Sequence, residues 1–199
     1  MRIAVGHHED HATYIRHART ETLRSLCIEP HPALVEPVAA SKYVFAYDDQ
    51  SGQAIGMGES AMLGDIYDSY HDTPYATLGD LTAFCPLSEM ASMRTVYVEP
   101  EYRNNSSLFL ALTLCSAKVF HGYGARFATA TTRADDAYLN RLYSKWCGER
   151  VGTFRMELTN EPSSLFVFDL ERMLSHRAMR RVESYLCFEH NADAVVAAA

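Results

Sequence analysis

The residue types best suited to chemistry are concentrated between positions 92 and 123. Residues 93–98 (Met-Arg-Thr-Val-Tyr-Val) read as a strand, 99–103 as a polar turn and 106–123 as an apolar helix. The first amides of such a helix have no intrahelical acceptor and carry partial positive charge, so they can hold a phosphate. Asn104, Asn105, Ser106 and Ser107 supply capping groups ahead of Leu108. A capped helix after a strand is equally common with no ligand at all. Three other clusters invite chemistry. His7, His8, Glu9, Asp10 and His11 are metal-ligand types, yet acidic residues at a helix start also serve the helix dipole, and no metal site is expected. Asp65, Asp68, Asp72 and Asp80 alternate with Tyr67, Tyr70, Tyr75 and Phe84. They suit either an ammonium pocket or a solvated loop with buried rings. Arg172, His176, Arg177, Arg180 and Arg181 give a basic face to the segment 170–190, which reads either as a docking surface or as a solvated helix face.

The elements that must position these groups follow from periodicity. Residues 2–5 make a short strand and 9–26 a helix. Residues 29–37 carry three prolines and cannot form one regular helix, leaving a connector or a lid. A hairpin over 42–48 and 53–63 turns at Asp48–Gly52. Residues 126–132 make a strand, and Thr132 is a candidate cap for a helix carrying Tyr143. Residues 149–158 and 164–169 close the sheet, 170–190 form one amphipathic helix, and residues 191–199 form a loose tail. The fold class is α/β, in a single domain spanning 1–190.

Composition narrows the function. A net charge of −7 argues against general nucleic-acid binding, which needs clustered positive charge. Cys27, Cys85, Cys115, Cys147 and Cys187 are scattered and odd in number, which fits reduced thiols rather than a disulfide frame or zinc site. No stretch is apolar enough to span a bilayer, and the first residues lack a secretory pattern. A cytoplasmic protein without membrane insertion is the expectation.

The stretch 98–108 (Val-Glu-Pro-Glu-Tyr-Arg-Asn-Asn-Ser-Ser-Leu) resembles the acyl-donor loop of the Gcn5-related N-acyltransferase superfamily, Arg/Gln-x-x-Gly-x-Gly/Ala after Val-x-Pro. Arg103 takes the first position, while Ser106 and Leu108 stand where small residues are usual. Residues 134–148 resemble the next helix, with Tyr143 on the family tyrosine, Lys145 on the lysine and Asp136 in place of asparagine. The resemblance covers residues 44–168. It implies a mixed, mostly antiparallel sheet whose two central strands splay apart, flanked by helices. It also implies a donor thioester held by Val96, Tyr97, Val98, Arg103, Asn104, Asn105, Ser106, Ser107 and Leu108. Tyr143 would protonate the leaving thiolate, and Glu59 or Glu89 would take the acceptor's proton, directly or through water.

The nearest branches by resemblance are the acyl-homoserine lactone synthases and the long-chain N-acyl amino acid synthases. They imply Arg94 and Arg16 as acceptor-binding residues, an amino acid or similar amine as acceptor, and a fatty acyl donor. Side chains at both glycine positions loosen the grip on a diphosphate. An acyl carrier protein, whose phosphopantetheine offers one phosphate, then fits as donor beside acyl-CoA, with Arg172, Arg177, Arg180 and Arg181 as its docking face. No permanently bound cofactor is implied. Two rival readings stand beside this one: a conventional acetyl-CoA-dependent N-acetyltransferase, and a module that binds a ligand without catalysing.

Overall fold

The computed structural model describes residues 2–66, 81, 84–104, 106–155 and 160–185. Seven strands form one sheet: β1 (Arg2–Gly6), β2 (Lys42–Tyr47), β3 (Ala54–Met62), β4 (Met90–Val98), β5 (Phe127–Arg133), β6 (Gly148–Arg155) and β7 (Pro162–Asp169). Their spatial order is β1-β2-β3-β4-β5-β7-β6. Among the described residues, only the central β4–β5 pair is parallel; its neighbours are antiparallel. The expected mixed, mostly antiparallel α/β sheet is therefore present.

Alternation along the strands assigns the helices to faces. Tyr43, Phe45, Met57 and Tyr97 point to one side and pack with Ile15 and Ala18 of α1 (Ala12–Ser25). Val44, Ala46 and Val98 point to the other and pack with Leu108, Ala111 and Leu112 of α4 (Ser106–Gly122). That period of two is what a strand requires. Two short turns of helix, α2 (Pro32–Val35) and α3 (Leu63–Ile66), lie in the connections either side of the β2–β3 hairpin. α5 (Ala137–Lys145) shares the α4 side, where Trp146 stacks on Phe109 with ring centroids 6.2 Å apart.

α4 lies close to the sheet because β3 is flat beneath it. A Cβ at Gly58 would fall 2.6 Å from Ser116 Oγ, and one at Gly56 would fall 2.9 Å from Leu112 Cδ1.

Several sequence expectations need correction. The helix carrying Tyr143 is capped by Asp136, whose carboxylate accepts from the Leu139 amide at 2.8 Å; Thr132 is buried within β5. The final helix is broken into α6 (Leu170–Ser175) and α7 (Arg177–Tyr185) by His176, which is extended at φ −64° and ψ 137°. Asp169 caps α6, and Leu170, Met173 and Met179 are the residues buried against the core. The predicted aromatic and acidic cluster falls largely outside the described residues, at Tyr67, Asp68, Tyr70, Asp72, Tyr75 and Asp80, as does the tail. No helix among the described residues is long and apolar enough to cross a membrane.

Because Gly58 faces α4 directly, Gly58→Val should destabilise the fold by about 1–3 kcal/mol through overpacking. The expected readout is a lower urea midpoint with an unchanged denaturant slope.

Candidate active site

β4 and β5 pair only from Met90/Phe127 to Met93/Ala130. Beyond that point β4 bonds only to β3, and β5 only to β7. The cause is visible in the register: Glu59 pairs with Thr95 and Ser60 with Met93, so Arg94 is an extra residue, a bulge that turns β4 away from its parallel neighbour. The result is a wedge-shaped gap in the middle of the sheet, with β4 backbone from Thr95 to Val98 facing it.

Two adjoining cavities fill this wedge. One, of about 270 Å³, lies on the α4–α5 side between Val96, Val98, Arg103, Phe109 and Leu139, with exposed Tyr138 at its rim. The other, of about 310 Å³, shares Val96, Phe109 and Leu139 and runs through the sheet to Thr22 of α1 and Leu26 just beyond its end. Arg94 lies on its β4 wall; Thr131, Asp136, Tyr143 and Glu161 lie on the opposite wall.

The β4 wall is fixed by a buried ionic cluster. Glu59 is 1% exposed. Its carboxylate accepts from Arg19 Nε at 3.0 Å, from Arg19 Nη2, and from Ser41 Oγ at 2.8 Å. Arg94 Nη1 lies 3.1 Å from the same carboxylate and donates to Ser41 Oγ at 3.2 Å. Burial holds the Arg94 guanidinium below its ordinary pKa, against the pull of Glu59. Arg19 also donates to the backbone carbonyls of Leu34 and Glu36, so the proline-rich connector closes over the cluster as a wall.

Tyr143 reaches the gap from α5. Its ring meets Phe166 and Phe168 edge-on at 5.4 and 5.5 Å, which sets its direction. Burial first, and then the nearby Asp136 charge, push the phenol up to about 12. It therefore keeps its proton throughout the physiological range. Gly148 permits this packing, because a Cβ there would fall 2.7 Å from the Phe168 ring and 2.8 Å from the Tyr143 carbonyl.

The donor-loop residues divide. Arg103 folds back so that Nε donates to the Val98 carbonyl at 2.9 Å, with its guanidinium 5.7 Å from the Tyr97 ring. It thereby closes the turn beside the cavity. Asn104 and Ser107 are exposed at the helix start. Leu108 is fully buried in the core, and the Tyr97 side chain points to the α1 face, where its hydroxyl bonds Glu99. Both can offer a ligand only backbone. Asn105 lies outside the described residues, as does the side chain of Ser106.

The two carboxylates expected to act as base are placed unfavourably. Glu59 is neutralised by two guanidiniums, so a proton on it would break the cluster. Glu89 precedes β4 at the closed end of the β4–β5 pair, where it binds Arg126 at 3.2 Å. Arg16 is exposed on α1 and holds Glu36 through both carboxylate oxygens, away from the gap. Arg172, Arg177, Arg180 and Arg181 are exposed on α6 and α7. α7 meets α4 near Lys118, which pairs with Glu183. That contact is roughly 18 Å along α4 from Ser106, at 1.5 Å per residue. The basic face therefore sits at the far end of α4 from the gap. His11 packs on Phe45 and bonds the Tyr47 hydroxyl at 3.1 Å, and no three ligand-type side chains converge among the described residues.

Sequence reasoning passed over Ser41, the cavity face of Asp136 and the buried pairing of Arg19 with Glu59. Arg19 carried a signal: it lies four residues after Ile15, on the buried stripe of α1. A charged residue on such a stripe needs a buried partner. Replacing Glu59 by Gln should destabilise the fold by about 3–5 kcal/mol, because two largely buried cations lose their counter-charge. Equilibrium urea unfolding checks this.

No family model and no curated protein sequence matches the chain. Solved structures do. A CoA-dependent acyl-homoserine lactone synthase, BjaI, solved with SAM and isopentyl-CoA, superposes with a TM-score of 0.63 at 12% identity, over 94% of this chain and 90% of that one. The CoA-dependent acyl-homoserine lactone synthase MesI gives 0.56 at 13% identity, over 90% and 95%. The ribosomal-protein-S18-alanine N-acetyltransferase of Escherichia coli gives 0.53 at 12%, over 84% and 94%. With its strand order, its parted central strands and these likenesses, the chain has the Gcn5-related N-acyltransferase fold.

Proposed function

We propose that this protein is an N-acyltransferase that moves an acyl group from a phosphopantetheine thioester to the amine of a small molecule. The observation that carries the reading is the parting of β4 from β5 beyond Met93 and Ala130, with a protonated tyrosine lining the cavity so formed. An extended pantetheine arm can lie along the free β4 edge and pair with its backbone, as an added strand would. The donor phosphate end then falls beside Arg103 and the first amides of α4. The thioester carbon reaches the through-sheet cavity near Tyr143. There the amine attacks, an amide of the β4 edge near Val98 polarises the carbonyl oxygen, and Tyr143 gives its proton to the departing thiolate.

The finer assignment is a fatty acyl donor and an amino acid acceptor, giving an N-acyl amino acid. Two observations support it. Arg94 projects a fixed cation into the cavity, suited to an acceptor carboxylate. The cavity continues past Val96 to Leu26, leaving room beyond the reacting carbon for more than an acetyl group. BjaI, a CoA-dependent acyl-homoserine lactone synthase, has a structure that holds isopentyl-CoA together with SAM, a molecule bearing an amino acid moiety. CoA and an acyl carrier protein both present the required arm. A carrier would have to dock beside Arg103, because the basic face of α6 and α7 is remote from the entrance.

Incubation with octanoyl-CoA, octanoyl-carrier protein or acetyl-CoA, each with the twenty common amino acids, tests the reading by mass spectrometry. N-octanoyl amino acids are the expected product; N-acetyl products alone would favour a conventional acetyltransferase. Tyr143→Phe should lower kcat by roughly 10²-fold or more with little change in thermal midpoint. The acid works only while protonated, so its activity is lost as pH rises through its folded pKa. With that value near 12, kcat of the native enzyme should show no Tyr143-dependent fall up to about pH 10.

A further inference from the structure

Glu59 and Glu89 leave the reaction without a base, yet an amine at neutral pH arrives as ammonium and must lose a proton before it can attack. Two carboxylates remain on the cavity wall; Glu161 is paired with Arg133 at 3.3 Å, which leaves Asp136. Asp136 caps α5 through Oδ1, which accepts from the Leu139 amide at 2.8 Å, and it lines the same cavity as Tyr143 and Arg94. A carboxylate has lone pairs to spare beyond one capping bond.

The charges around Asp136 make it distinctive. Arg133, at the end of β5, is the nearest cation on its own wall, but its guanidinium is held by Asp135 at 3.0 and 3.1 Å and by Glu161 at 3.3 Å. Asp136 forms no ion pair among the described residues. Of the charged side chains that line the cavity on this wall, two are carboxylates, Asp136 and Glu161, against the one guanidinium of Arg133. The wall facing it, with Arg19 and Arg94 against Glu59, carries one cation in excess. A cavity polarised in this way favours a ligand that is cationic at one end and anionic at the other.

Position along α5 fits the chemistry. Asp136 and Tyr143 are seven residues apart, so they share a helix face at about 10 Å along the axis. Helical side chains lean toward the N-terminus, which brings the phenol back toward Asp136. A thioester carbon with an amine beside it fits between them.

Resting on the acyltransferase reading, we infer that Asp136 receives the acceptor's ammonium group and takes its first proton, while Arg94 holds the acceptor's carboxylate. The proton passes from nitrogen to an Asp136 oxygen, and the freed lone pair forms the C–N bond. The C–S bond then breaks, and its electron pair leaves on sulfur, which takes the Tyr143 proton. The second nitrogen proton restores the phenol. Asp136 returns its proton to solvent, so one proton is released per turnover.

The test uses the full chain with octanoyl-CoA and the twenty common amino acids. Asp136→Asn keeps a good helix cap while removing the charge, and Asp136→Ser is a second capping variant should the first fold poorly. Both should keep the native thermal midpoint and lose about 10²-fold or more in kcat/KM at neutral pH. A purely structural role predicts no change in pH dependence. A base role predicts that the variants recover about tenfold per pH unit, as more acceptor arrives already deprotonated, while the native enzyme levels off. The groups facing Asp136 are Arg133, Asp135, Glu161, Tyr143 and, across the cavity, Arg94; Arg94→Gln should raise KM for amino acids more than it lowers kcat. Variants within about threefold of native, or with the native pH profile, overturn the assignment of Asp136 alone. A native enzyme that acylates no amine overturns the acyltransferase reading and this inference with it.

Discussion

One buried carboxylate ties the structure together. Glu59 gathers Arg19 from α1, Ser41 from the segment entering β2, and Arg94 from the bulge of β4. Taking an ion of this size out of water carries a penalty of several kcal/mol unless the partners are well placed. Here four separate parts of the chain must be in register before that penalty is met. The cluster therefore specifies geometry more than it adds stability. It fixes the rotation of Arg94, and the bulge at Arg94 is where β4 leaves β5.

The gap is held open by opposed means on its two sides. On the β4 side the restraint is ionic. On the α5 side it is steric: Tyr143 stands between Phe166, Phe168 and Trp146, and Gly148 supplies the missing volume. A packed aromatic wall and a buried ionic wall are both stiff, which suits a site whose reacting groups must be held within a fraction of an ångström.

Much of this was legible in the sequence. The hairpin and the central strand–turn–helix followed from local pattern, because periodicity and turn residues act over short distances, while Tyr143 followed from the resemblance of its segment to the family. Three kinds of feature were not legible. The partners of Glu59 lie 18, 35 and 40 positions away, and local pattern does not tell a glutamate facing water from one facing two arginines. The helix break at His176 was hidden as well, because an amphipathic stripe continues through it; the cap at Asp169 and the extended backbone at His176 override that stripe. Asp136 shows a third case. An acidic residue at a helix start serves the helix dipole, which was a sufficient explanation of its presence, so nothing in the sequence called for another.

The larger cavity passes through the sheet, lined on one face by Thr22 and Leu26 and on the other by Phe109 and Thr113 of α4. On the proposed acyltransferase reading, the two reactants need not share one approach to the site. Both can be resident together, with no need for the enzyme to carry the acyl group itself between one visitor and the next. A bulky amide product can also withdraw along one route while the spent thiol stem still occupies the other, so the order of departure is set by the affinities of the two products and not by the architecture.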